Sequence, residues 1–145
     1  MRMVVEKYIP KELYGFLSPS DGSKERLFFH LSAFDPGSYV GESPIPPIVG
    51  EEVEVTFTNE KVSQCNRIAT PSSIHGFVTW FSEQKGFGFA EDDNGERYYL
   101  HRSEILDGRL PLKDRLISFY VATQAQKPPF RACYVTVSSE VRENG

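Results

Sequence analysis

An all-β fold of short strands, with the pattern occurring twice along the chain, is what this sequence predicts. Three observations lead there. No stretch of the 145 residues carries a sustained 3.6-residue apolar period, and none is apolar for long enough to cross a membrane. Aromatic and β-branched runs alternate with clusters of Gly, Asn, Asp and Ser. Finally, Leu13-Tyr14-Gly15-Phe16-Leu17 parallels Gly86-Phe87-Gly88-Phe89-Ala90, and Leu27-Phe28-Phe29-His30-Leu31-Ser32 parallels Tyr98 to Ser103.

The strands follow in order. In the first half they are expected near 2–9, 13–19, 25–31, 51–58 and 64–70, and in the second near 75–82, 86–91, 96–102, 115–123 and 131–138. Ser20-Asp-Gly-Ser23 and Asp92-Asp-Asn-Gly95 supply turn chemistry between the second and third strands of each half, because Asn and Gly tolerate positive φ. Gly50-Glu-Glu-Val53-Glu-Val55 parallels Asp114-Arg-Leu-Ile117-Ser-Phe119 and extends the repeat. Five short antiparallel strands per half point to two tandem OB-like barrels. The expected domains are 1–70 and 75–140, joined by a linker over 71–74 that is too short for a flexible tether.

Two loops exceed a minimal unit. Asp35 to Ile48 holds Pro36, Pro44, Pro46 and Pro47, which stiffen it as an extended surface segment, and Gln124-Ala-Gln-Lys-Pro-Pro129 separates the last two strands. Cys65 and Cys133 fall in different registers of the repeat, with no CxxC pair and no signal peptide, so a reduced, cytoplasmic protein is expected. Three histidines, His30, His75 and His101, offer no metal-ligand spacing, and neither a metal nor any other cofactor is expected.

The second half carries the chemistry. Successive strand side chains point to opposite faces, so Phe87 and Phe89 share one face, and Tyr99 and His101 share one face of the next strand. Gly86 and Gly88 alternate with the phenylalanines and leave the reverse face free for close approach of another backbone. An aromatic pair at spacing two also reads as half of a hydrophobic core. However, Val78, Ala90, Tyr98, Leu100, Ile117, Phe119, Val135 and Val137 form a second apolar set able to fill the interior, which leaves the rings surplus to packing. Exposed rings suit unpaired bases, each of which has a face to stack.

Gly76-Phe-Val-Thr-Trp80-Phe81-Ser-Glu-Gln-Lys85-Gly-Phe-Gly-Phe89, with Tyr98-Tyr99-Leu100-His101-Arg102-Ser103, resembles the two nucleic-acid motifs of the cold-shock (Y-box) domain family. The match needs no gap from Trp80 to Phe89 and covers roughly 75–138. This resemblance implies an OB-like barrel and carries binding roles onto Trp80, Lys85, Phe87, Phe89, Tyr99 and His101. Arg102 stands where the family usually has an aromatic residue; a guanidinium can stack on a base and pair with a phosphate. Residues 2–70 resemble a diverged copy that keeps Tyr14, Phe16, Phe28 and His30. There Lys7 replaces Trp80 and Glu12 replaces Lys85, and Tyr8 is the ring available in partial compensation. This second surface is expected to bind more weakly.

Charge bounds the function. Residues 1–72 carry 7 Lys+Arg against 10 Asp+Glu, and the remainder 9 against 10, so the halves are −3 and −1. Tight, salt-dominated duplex binding is therefore not expected, whereas stacking still holds single strands. The leading expectation is a single-stranded RNA or DNA binder acting as an RNA chaperone or regulator. The alternative is a protein-interaction module meeting transcription or translation proteins; a membrane partner is not expected. A nuclease would need clustered carboxylates, but Asp92-Asp93 sit in a turn and Glu51-Glu52 open a strand, so no enzyme is expected.

Overall fold

The computed structural model describes residues 1–21, 25–36, 45–106, 108–122 and 128–142. Gly22 and Ser23 of the first expected turn, residues 37–44 of the proline-rich loop and residues 124–127 of the later one lie outside the described residues. The rest is all-β apart from two three-residue 3₁₀ turns. It separates into two compact units, the first built on Met1–Pro71 and the second on Ser72–Val121 with the chain after 127. Among the described residues, no helix is long and apolar enough to cross a membrane.

The first unit contains β1 (Arg2–Ile9), β2 (Tyr14–Pro19), β3 (Leu27–His30), β4 (Phe34–Asp35), β5 (Glu52–Thr58) and β6 (Lys61–Arg67), in the sheet order β3-β2-β1-β5-β6-β4. The second contains β7 (Ser72–Ser82), β8 (Phe87–Asp92), β9 (Arg97–His101), β10 (Arg115–Val121), β11 (Phe130–Arg131) and β12 (Cys133–Val141), in the order β11-β9-β8-β7-β10-β12. Among the described residues each sheet therefore has six strands with one parallel pairing, where five antiparallel strands are expected from the sequence. The added strands, β4 against β6 and β11 against β9, are two residues long. A pair of residues is too short to show alternation.

Other boundaries moved for local reasons. β6 starts at Lys61 because Asn59 and Glu60, with φ of 52° and 64°, close a two-residue hairpin in which Thr58 faces Lys61. Such turns usually announce themselves with glycine, and Glu60 does not. β7 starts at Ser72, and Ser72 to Ile74 pair with Val121 to Phe119, so these three residues assigned to the linker are strand.

The interior apolar set of the second unit is buried as one cluster, from Val78 and Ala90 to Val135 and Val137, with Phe119 and Tyr98 ring to ring at 5.0 Å. The Asp92 turn is fastened to it. Asp92 accepts the amides of Asn94 and Glu96 at 2.9 and 3.0 Å and the Tyr98 hydroxyl at 2.8 Å. Partial desolvation would raise the Asp92 pKa, but these bonds outweigh it and hold the carboxyl below its ordinary value. Burial and the same bond push the Tyr98 phenol upward.

The first unit's core is Met3, Val5, Leu17, Phe29, Phe34, Val53, Val55 and Cys65. Burial raises the Cys65 thiol to about 11, so it packs as an inert apolar group. Beside this core lies a buried ion pair. Arg67 donates from Nε and Nη2 to the two Glu51 carboxylate oxygens, both at 2.8 Å, and to the carbonyls of Ile45 and Pro46 at 2.8 and 2.9 Å. Glu51 also accepts the Ile48 amide at 2.8 Å, and the guanidinium lies 5.0 Å from the centre of the Phe34 ring. The end of the proline-rich segment is consequently buried at Pro47 and Ile48 rather than lying on the surface.

Candidate functional site

Both sheets carry a β-bulge at the same place, and that bulge decides which side chains stand outward. In β7 the register passes from Val78↔Ala90 to Trp80↔Phe89, leaving Thr79 extra; in β1 it passes from Val5↔Leu17 to Lys7↔Phe16, leaving Glu6 extra. One extra residue reverses the alternation beyond it. Val78 faces the core, Trp80 stands outside at 47% exposure, and Phe81 returns to the core. Opposite the bulge, a Cβ on Gly88 would collide with the Trp80 carbonyl, and one on Gly15 with the Lys7 carbonyl. Gly86 has a different task from the expected one: it lies in the turn before β8, at φ 77°.

In the second unit the outward residues form a continuous strip of rings. Trp80 lies 5.6 Å from Phe87 and 6.4 Å from Phe89; Tyr99 lies 6.1 and 6.0 Å from the same two rings, and 6.3 Å from His101. Phe87, Phe89, Tyr99 and His101 are half-buried at their flanks and lie outside the core cluster. Cations border the strip. Lys85 is exposed in the turn between β7 and β8, where its amide donates to Ser82 Oγ at 3.2 Å. Arg102 folds over that turn and donates to the Glu83 carbonyl at 2.7 Å.

Sequence reasoning missed one member of this strip, Arg97, whose guanidinium lies 5.4 Å from the Phe89 ring centre. The signal was present, because Arg97, Tyr99 and His101 follow one another at spacing two on β9.

His101 has a defined role at the end of β9. Its Nδ1 accepts the Ser103 amide at 3.1 Å and caps the following 3₁₀ turn. A nitrogen accepting an N–H carries no proton, so this bond selects the tautomer with its proton on Nε2. His30 caps its own 3₁₀ turn in the same way, accepting the Ser32 amide at 3.0 Å.

The first unit repeats the register. Tyr14 faces His30 and Phe16 faces Phe28, as Phe87 faces His101 and Phe89 faces Tyr99. Tyr14 lies 5.9 Å from Phe16 and 5.3 Å from Phe28, which is 55% exposed. Tyr8 is not brought to this face. The bulge at Glu6 turns it toward the core, where it stacks on Phe29 at 6.3 Å, and burial raises its phenol pKa. Lys7 takes the outward place instead.

Among the described residues no group of three or more His, Cys, Asp or Glu side chains gathers to hold a metal ion. What the strip offers is flat apolar surface beside positive charge and a histidine donor.

Known proteins of one family are similar to this chain. No protein-family model matches the chain. It is 38% identical over 53 residues to the cold shock protein CapB of Pseudomonas syringae pv. tomato, a match covering 36% of this chain and 77% of that protein. The cold shock-like protein CspG of Shewanella violacea is 44% identical over 59 residues, covering 39% of this chain and 83% of the relative. The cold shock protein CspC of Bacillus subtilis is 50% identical over 30 residues, 21% of this chain and 46% of that protein. By these matches, the chain belongs to the cold-shock protein family.

Proposed function

We propose that this protein is a tandem cold-shock protein that binds single-stranded RNA or DNA by stacking bases on the second unit, and acts in the cytoplasm as an RNA chaperone or regulator. The observation that carries this reading is the ring strip of Trp80, Phe87, Phe89, Tyr99 and His101, bordered by Lys85, Arg97 and Arg102. Bases stack on the rings at about 1–3 kcal/mol each, and the cations meet phosphates beside them. Binding the unpaired form alone shifts weak secondary structure toward melting by mass action, without catalysis. Domains over 1–70 and 75–140, each an OB-like barrel closed where the chain crosses from one sheet edge to the other, complete the reading. The matching registers of the two sheets support the tandem arrangement.

Trp80, the single tryptophan, reports on this site directly. Its fluorescence should change on titration with an oligo-pyrimidine, and the double change Phe87→Ala, Phe89→Ala should abolish that response while the circular dichroism of the folded chain persists. Retained affinity in that folded variant would refute the proposal.

A further inference from the structure

The rings of the second unit belong to a grid whose last row ends in a pair of charges. Across β7, β8 and β9 the register sets Ser82, Phe87 and His101 in one row and Trp80, Phe89 and Tyr99 in the next. On the other side of the bulge stand Phe77, Glu91 and Arg97. Ala90 is buried and Glu91 follows Phe89 at spacing two, so alternation turns Glu91 to the ring side. Arg97 is exposed on that same side, and its guanidinium reaches back to within 5.4 Å of the Phe89 ring centre. Phe77 is covered by the Arg142 guanidinium at 4.1 Å, so this row extends the strip with polar groups rather than with another open ring.

The two charges do not neutralise one another. Glu91 lies directly opposite Arg97 in the register, yet among the described residues neither side chain makes an ion pair or a hydrogen bond. A planar fork of N–H donors thus stands beside a carboxylate with two acceptor oxygens. Cross-strand neighbours are about 4.5–5.5 Å apart at Cβ, close enough to meet adjacent edges of one base. A phosphate brings acceptors alone, and what it gains from Arg97 it loses against the like charge of Glu91. Guanine brings both kinds of group: O6 and N7 side by side for a guanidinium, and the N1 and N2 donors side by side for a carboxylate. Adenine, uracil and cytosine do not present both pairs.

We propose, on the reading that bases stack on this strip, that Glu91 and Arg97 form a guanine-reading subsite beside Phe89. The Arg97 fork donates to O6 and N7 of a base lying on that ring, and Glu91 accepts from its N1 and N2. Lys85 and Arg102, at the turn beside Phe87, are left to meet phosphates.

The probes are oligo-uridylates of single-site length, unmodified or with one guanosine placed at each position in turn, titrated into the full chain and read by Trp80 fluorescence. Guanosine at one position should tighten binding by about tenfold. At that position 7-deazaguanosine, which lacks the N7 acceptor, and inosine, which lacks the N2 donors, should each lose part of the gain. Arg97→Ala should bring the guanosine-to-uridine affinity ratio to about one. Glu91→Ala should lower the ratio and make inosine and guanosine bind alike. No preference for guanosine at any position of the probe overturns the subsite, as does a preference that survives Arg97→Ala. Equal weakening of both probes by Arg97→Ala, with the salt slope reduced by about one, would assign Arg97 to a phosphate and overturn it too. No response to any probe would overturn the stacking reading itself, and the subsite with it.

Discussion

The same backbone plan is used twice, yet the two units invest in different places. The second keeps the complete ring strip and an all-apolar cluster beneath it. The first has fewer outward rings and a carboxylate where the second has Lys85, but it contains the buried Glu51–Arg67 pair; Arg67 lies opposite Val53, a register place that Val137 takes opposite Ile117 in the other sheet. Shared register with exchanged side chains teaches that the bulge, the glycine beneath it and the histidine cap define the scaffold. The charges and rings placed upon it define what each copy can hold.

The largest expected effect tests the buried pair. Glu51→Ala leaves the Arg67 guanidinium desolvated and without its carboxylate, which should destabilise the first unit by about 3–5 kcal/mol. Native-state hydrogen exchange should show the loss in β1, β5 and β6, with β8 and β9 unchanged. Equal loss in both sheets would mean that the pair is not confined to the stability of one unit.

The comparison sharpens if the binding chemistry is moved. Lys7→Trp with Glu12→Lys restores a ring and a cation to the first unit, and one added stacked base is worth about 1–3 kcal/mol. Affinity for an oligonucleotide long enough to span two sites should rise, read by calorimetry, while a single-site oligonucleotide binds the second unit as before.

A smaller effect concerns the turn before the ring strand. Leu13, at φ 60°, occupies the left-handed position that Gly86 fills at φ 77°. That conformation costs an L-residue about 1–2 kcal/mol. Leu13→Gly should therefore stabilise the first unit by about 1 kcal/mol and Gly86→Leu should destabilise the second by a similar amount, measured by denaturant unfolding.

Much of this plan was legible in the chain because strands announce themselves by alternation. β1, β8 and β9 begin and end within a residue or so of their expected limits, and the repeat aligns Lys7 with Trp80 as the registers do. The exceptions have physical causes. Tyr8, expected from the sequence as an outward ring, packs against the core because a bulge changes the parity of a strand without changing its composition. Glu51 and Arg67 meet only through the folded sheet, and neither carries a local signal of its partner. β4 and β11 are stabilised by the neighbours they touch rather than by any preference of their own residues.

The bulge at Thr79 is what places the indole in solvent. Pairing Val78 to Phe81 regularly, with Thr79 opposite Phe89, would shift the strand's phase and send the indole into the interior and Phe81 into solvent, with every residue still present. Deleting Thr79 itself would remove only the bulge, because Val78 already faces Ala90 and Trp80 already faces Phe89. Which side chains meet solvent is thus set by pairing phase rather than by composition, and the same holds for Glu6 in the other copy.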